Sequence, residues 1–190
     1  MAASRQGFIP VGTPDTRFVK RIPISAVAKE VAKGDAVIQI AGLGAAASGG
    51  TNPAKFGYGV VLAVYTTAGR PLTFQNTKYI ASGGVGMADV CWDPNQTYYV
   101  QCVTSVGTSN IGANVAIDVS AANATTGISG MSVDLVASAS TNELFKIIGL
   151  GPFDNQLTAP YGQTVLNGGA NNGVTVAWNY HFLRAPVAGQ

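Results

Sequence analysis

Apolar and polar positions alternate along most of this chain in short runs, and turn residues separate the runs. Val115, Ile117 and Val119 alternate with Ala116, Asp118 and Ser120. Val133, Leu135 and Ala137 repeat the pattern. Val174, Val176, Trp178, Tyr180 and Phe182 alternate with Thr175, Ala177, Asn179 and His181. A period of two is that of a strand with one buried face. Runs 36–41, 56–66 and 144–150 are apolar on both faces, which predicts buried strands. Another strand is expected over 72–80, and 26–33 suits either one helical turn or a strand. Residues 42–47 (Gly-Leu-Gly-Ala-Ala-Ala) resemble a dinucleotide fingerprint only superficially. The following Ser-Gly-Gly-Thr-Asn-Pro cannot open a helix, and no carboxylate follows before Asp89, so a Gly-rich loop is expected there.

The densest β signal lies between Ala88 and Gly112. Residues 88–92 and 97–106 read as strands, the second with Tyr98, Val100 and Cys102 on one face and Tyr99, Gln101 and Val103 on the other. Asp93-Pro94-Asn95 suits a type I turn, so this stretch predicts a hairpin. Gly/Asn-rich residues 156–172 read as a loop, ending in the turn-forming Asn172-Gly173. The expected fold is all-β, an antiparallel β-sandwich or barrel-like domain over 25–183. An extended N-terminal arm over 1–24, broken by Pro10, Pro14 and Pro23, precedes it, and a tail over 184–190 follows.

Composition narrows the function classes. Charged residues make up 11% of the 190 residues and hydrophobic residues 47%. Two explanations compete: burial of the surface against other subunits, or a neutral, tightly turned β surface. The first leads to a homo-oligomer, with a trimer favoured over a dimer. Residues 1–35 carry six basic and three acidic residues, the remainder five and six, so the start of the chain suits an acidic partner surface. It has no dense basic run, and the strand aromatics have no basic neighbours, so no direct nucleic-acid contact is expected. No run reaches the length of a membrane span. Cys91 and Cys102 would not face each other across the hairpin, so packed free thiols are expected, as in a reducing cytoplasm.

Catalytic chemistry does not stand out. The single histidine, His181, has no nucleophile motif to serve and is expected at a solvent-facing or interface position on an edge strand. One histidine and two cysteines do not make a zinc site, and no dense acidic loop suits calcium. No cofactor or metal is expected, and the chain is read as non-enzymatic.

DPNQTYYVQC at 93–102, SNIGANVAI at 109–117, TTGISGMSV at 125–133, LFKIIGL at 144–150 and GVTVAWNYHF at 173–182 carry a resemblance. Over residues 88–183 the chain resembles the capsid decoration, or cement, proteins of tailed bacteriophages of the aquatic podovirus type. The resemblance implies a non-enzymatic virion protein, made in the host cytoplasm, that binds the outer capsid surface and bridges subunits of the major capsid protein. Phe8, Arg17, Phe18, Lys20, Arg21, Tyr98, Tyr99 and Trp178 are the candidate capsid contacts. A carbohydrate- or receptor-binding head fibre or adhesin module is the alternative.

Overall fold

A computed structural model describes residues 7–25, 29–40, 43–46, 57–72, 78–135, 143–151 and 173–183. The fold is all-β, with two sheets packed together. β2 (Val19–Ser25), β3 (Ala36–Ile40), β4 (Leu43–Ala46), β5 (Gly57–Tyr65) and β6 (Val85–Cys91) close into a barrel in the order β2-β4-β3-β5-β6. β1 (Ile9–Pro10), β7 (Thr97–Gln101), β8 (Asn114–Asp118), β9 (Ser132–Leu135), β10 (Phe145–Leu150) and β11 (Gly173–Trp178) form the second sheet, in the order β1-β7-β11-β10-β8-β9. This sheet curls back on itself: Cys102 bridges Val133 in parallel, and the Val103 N–H donates to the Val133 carbonyl at 2.8 Å.

A ring with an odd number of strands cannot be antiparallel at every junction. The first ring takes its one parallel contact between β2 and β4, at Ile24 and Gly44. The second ring, β7 to β11, takes it at Cys102 and Val133. Both rings thus have one topology: the first strand of each lies beside its third and fifth, and the second beside its third and fourth.

The registers coincide residue by residue. In the first ring Val19 pairs with Cys91 and Ile22 with Ala88; in the second, Thr97 pairs with Ala177 and Val100 with Val174. The β5/β6 ladder skips a residue between Val61 and Ala63, and the β10/β11 ladder between Ile147 and Gly149. The Gly34 N–H donates to Val61 O and the Val61 N–H to Asp35 O, at 2.8 and 2.9 Å. The Gly112 N–H donates to Ile147 O and the Ile147 N–H to Ala113 O at the same two distances. Gly34 and Gly112 both sit in the left-handed region, with φ of 91° and 95°, where glycine alone is unstrained. Trp92 and Trp178, the two tryptophans of the chain, fall at equivalent places one step beyond Cys91 and Ala177. The molecule is one five-stranded barrel built twice.

The interiors correspond too. Ile22, Ile24, Val37, Val61, Ala88 and Val90 fill the first barrel. Their counterparts Val100, Cys102, Val115, Ile147, Val174 and Val176 fill the second. Ala36, Ile38 and Val60 belong to the second core cluster although their strands belong to the first barrel, so the outer face of β3 and β5 joins the halves. Polar contacts add to the junction. The Lys29 ammonium donates to Val119 O (2.8 Å), the Ala122 N–H to Glu30 Oε1 (2.9 Å) and the Ser129 N–H to Lys33 O (2.8 Å).

Several expectations change. The turn at 93–95 forms, with Asp93 accepting from the Asn95 N–H at 2.8 Å. It does not close a hairpin: β6 pairs with β2 and β5, and β7 with β1 and β11, so the turn links the two barrels. Leu43–Ala46 is strand β4 rather than loop, because all four residues pair with β3. Residues 1–6 of the expected arm lie outside the described residues; residues 7–18 hold β1 and the 3-10 turn Thr16–Phe18, and Val19–Ser25 is a barrel strand paired along its whole length with β6, so the expected boundary near residue 25 falls inside the barrel. Both cysteines are free and buried. Residues 73–77 of the expected strand 72–80, the loop over 156–172 and the tail over 184–190 lie outside the described residues. Among the described residues no helix is long and apolar enough to cross a membrane.

Candidate protein-interaction site

The two barrels differ most where β2 and β7 begin. In the second barrel Tyr98, Phe145 and Trp178 close the end, and Phe8 comes in from the segment before β1. Phe145 stacks on Trp178 with centroids 4.2 Å apart and on Phe8 at 4.5 Å, and Tyr98 meets Phe145 and Trp178 edge-on. All four rings are no more than 2% exposed. Burial pushes the Tyr98 phenol well above its usual range. Three of the sequence-derived contact candidates, Phe8, Tyr98 and Trp178, are therefore core residues. Alternation cannot separate a buried ring from an exposed one in a barrel whose end is plugged by its own chain.

In the first barrel the same layer is Lys20, Gly59 and Trp92, the register counterparts of Tyr98, Phe145 and Trp178. A lysine and a glycine cannot build the plug. What remains is a half-open aromatic patch. Trp92 meets Phe18 edge-on at 5.1 Å and lies 6.2 Å from Phe182, which stacks on Tyr58 at 5.1 Å. Phe182 and Leu183 are 37% and 54% exposed, and Lys20, in the same layer as Trp92, is exposed on β2. The strands hold this patch from below: the Trp92 N–H donates to Phe18 O (2.9 Å) and the Phe182 N–H to Gly57 O (3.1 Å). Tyr58, Trp92, Phe182 and Leu183 were not among the contact candidates. Trp92 carried the best signal for inclusion, since a large aromatic beside Asp-Pro-Asn sits next to a surface turn.

Two of the three basic candidates, Arg17 and Arg21, are fixed by acids. Asp15 caps the 3-10 turn Thr16–Phe18 by accepting from the Arg17 N–H, and its carboxylate also takes the Arg17 guanidinium at 2.6 Å. That pairing holds the Asp15 carboxyl below its usual range. Arg21 forks onto Asp89 at 2.8 and 3.0 Å and lies 3.8 Å from the Tyr65 ring centroid, while the Tyr65 hydroxyl donates to Asp89 at 2.6 Å. The Arg21 guanidinium keeps the Asp89 carboxyl low. Lys20 makes no such pair among the described residues, so it is the cation left for a partner. Tyr99 is half-buried on β7, opposite Ile9 of β1, and burial raises its phenol.

His181 is neither exposed nor on an edge strand: β11 lies between β7 and β10, and His181 follows its end. It is fully buried between the barrels, with Nε2 3.0 Å from Tyr58 O and Nδ1 accepting from the Leu183 N–H at 3.2 Å. Both ring nitrogens are thus engaged with backbone, which leaves no lone pair for base chemistry. Burial pushes both cysteine thiols up, away from the reactive thiolate. Among the described residues no three potential ligands cluster as a metal site would need. The chain matches no known family model, and no curated protein matches it.

Proposed function

We propose that this chain is a non-enzymatic bridging protein of a virus particle, a capsid decoration protein that binds the outer surface of the shell and joins neighbouring major capsid subunits. The observation that supports the reading is the doubled barrel. Two copies of one scaffold in one chain present two faces at a fixed separation, which is the geometry a protein needs to hold two adjacent subunits. The resemblance over residues 88–183, the low charge and the half-open aromatic patch agree with it. Each face need bind only weakly, because the second contact of a bound molecule is intramolecular. A shell bound in this way is stabilised by mass action, since the ligand binds the assembled lattice better than separated subunits.

Cryo-electron microscopy of the particle tests this. The expected result is two-lobed density outside the shell spanning a subunit boundary, and earlier bursting on heating of particles that lack the protein. Density on the tail or in the lumen, or equal robustness of depleted heads, overturns it. A second reading draws on the same patch: the half-exposed Tyr58, Trp92 and Phe182 rings offer apolar faces on which a sugar ring can stack. Glycan-array binding lost on Phe182→Ala would favour a carbohydrate-binding module instead.

A further inference from the structure

Because the two barrels share one register, whatever completes one of them is a test of the other. In the second barrel β7 does not meet β9 until Cys102, and the edge below that point is covered by the chain's own β1: Ile9 pairs with Tyr99, Pro10 with Tyr98, and the Val11 N–H donates to Thr97 O at 3.0 Å. The counterparts of Thr97, Tyr98 and Tyr99 are Val19, Lys20 and Arg21 on β2. β2 likewise does not meet β4 until Ile24. Among the described residues no strand covers the edge below it.

Alternation settles which backbone groups lie on that edge. Phe18 turns its carbonyl to Trp92, on the β6 side, so Lys20 and Ile22 do the same and Val19, Arg21 and Pro23 face the other way. The Val19 N–H is spent on Thr16 O. Among the described residues nothing takes the Val19 carbonyl or the N–H and carbonyl of Arg21, which stand in the same places as the Thr97 and Tyr99 groups that β1 engages. Pro23 stands one step along on the same side, as proline does where no donor is wanted. An unpaired edge of this kind is a template for strand addition.

We propose that the β2 edge at Val19–Arg21 is a strand-addition site that takes an extended acidic segment of another protein. The acidic character follows from the counterpart. In the second barrel the inserted strand places Phe8 against Tyr98 and Phe145. In the first, those positions are Lys20 and Gly59, so neither ring that Phe8 packs on is present, and the side chain standing where Phe8 stands meets an exposed ammonium. A carboxylate there pairs with Lys20, whereas a phenyl ring loses both of those stacking partners, and Phe18 already meets the Trp92 ring of that layer. Arg17 and Arg21 are already neutralised by Asp15 and Asp89, so Lys20 decides the preference. The site is independent of whether the partner is a shell subunit.

Amide hydrogen exchange on the full chain is the first measurement. The Arg21 amide should exchange at least about tenfold faster than the Tyr99 amide, which β1 covers. Equal protection of Arg21 at all protein concentrations means that the chain covers this edge itself, and protection that grows with concentration means that a second copy does; either result overturns the proposal. The second measurement titrates two hexapeptides, Gly-Glu-Ile-Pro-Val-Gly and its Lys analogue, followed by amide shifts. The Glu peptide should protect Arg21 and leave Tyr99 unmoved, with the Lys peptide at least about tenfold weaker and the order reversed in Lys20→Glu. Arg21→Pro removes the outward N–H together with the fork on Asp89, so it is read against Arg21→Ala, which removes the fork alone: the Glu peptide should still bind Arg21→Ala and should not bind Arg21→Pro. No saturable change by about 10 mM of the Glu peptide, beyond the millimolar range of the weakest specific contacts, overturns the proposal, as does equal binding of both peptides.

Discussion

Asp35 is a carboxylic acid buried where its charged form is disfavoured. It lies at the start of β3, at the junction of the barrels, 3% exposed. The Ala32 N–H donates to its carboxylate at 2.7 Å and the Ser129 hydroxyl adds a second bond. Burial outweighs these donors and pushes its pKa up to about 7, with Glu30 raising it further and Lys29 opposing. The folded state therefore holds a proton that the unfolded chain releases at an ordinary carboxyl pKa near 4. Stability should fall as pH rises from about 4 to 7 and level off above that. Urea midpoints across that range measure it, and Asp35→Asn should flatten the profile and match or exceed the parent at pH 8. A residue-scale prediction of opposite sense concerns Phe8. It is stacked on Phe145 and nearly fully buried, so Phe8→Ala should cost about 3–5 kcal/mol. An exposed contact residue would cost almost nothing, so denaturation of this single variant separates core from interface. From the sequence, Phe8 was one of several apolar residues of no clear period among prolines, and its partners lie ninety or more positions away (Tyr98 and Phe145), where no local pattern can point to them.

At the scale of elements, the strands were legible and their partners were not. Period-two runs located β8, β9 and β11, and apolar runs located β3, β5 and β10 to within a residue or two, although the last period-two run reads on to Phe182, past the end of β11 at Trp178. Alternation reports which side chains share a face, not which strand lies alongside, so the Asp93-Pro94-Asn95 turn read as a hairpin. The doubling was hidden for the same reason. Its signature lies in hydrogen bonds and register, while the paired residues share little beyond Gly34 with Gly112, Val37 with Val115, Val90 with Val176 and Trp92 with Trp178. That equivalence has consequences for variants. Gly34→Ala and Gly112→Ala, both forced to positive φ, should each destabilise by about 1–2 kcal/mol, and thermal or urea melts should show both losses. A loss at one position alone would mean that the two turns are not equivalent. The N-terminal segment gives a sharper contrast. A free arm can be removed without harm, but deleting residues 1–25 takes away β1 and β2, opens the first barrel along β6 and exposes Val90 and Ala88. Circular dichroism and melting should show loss of cooperative folding, not a trimmed but intact domain.

For the whole molecule, the doubled barrel makes binding strength a question of valency. If each lobe touches a different subunit, the second contact forms at an effective concentration in the millimolar range, and the pair exceeds either contact by about 10²–10⁴. If only one lobe binds, each contact contributes its own modest term and nothing more. Phe182→Asp with Leu183→Asp discriminates between these. Both side chains are exposed at the end of the first barrel, so charge there disturbs a contact and not a core. Neither lies in the second barrel's interior, so that lobe keeps whatever contact it makes. Under the bridging reading, the double variant should still associate with depleted heads, but with apparent affinity lower by about 10²-fold or more, because losing one contact also forfeits the linkage. Its off-rate should carry most of the change, as it does for most interface mutations. Heads saturated with the variant should also burst as early on heating as heads with none, since a protein held by one lobe occupies the surface without joining subunits. Co-sedimentation with heads, read alongside thermal release of packaged DNA, measures both quantities on the same particles. A drop of less than tenfold, or full thermal protection by the variant at saturation, would mean that one lobe suffices, and the doubled barrel would then need an explanation other than bridging.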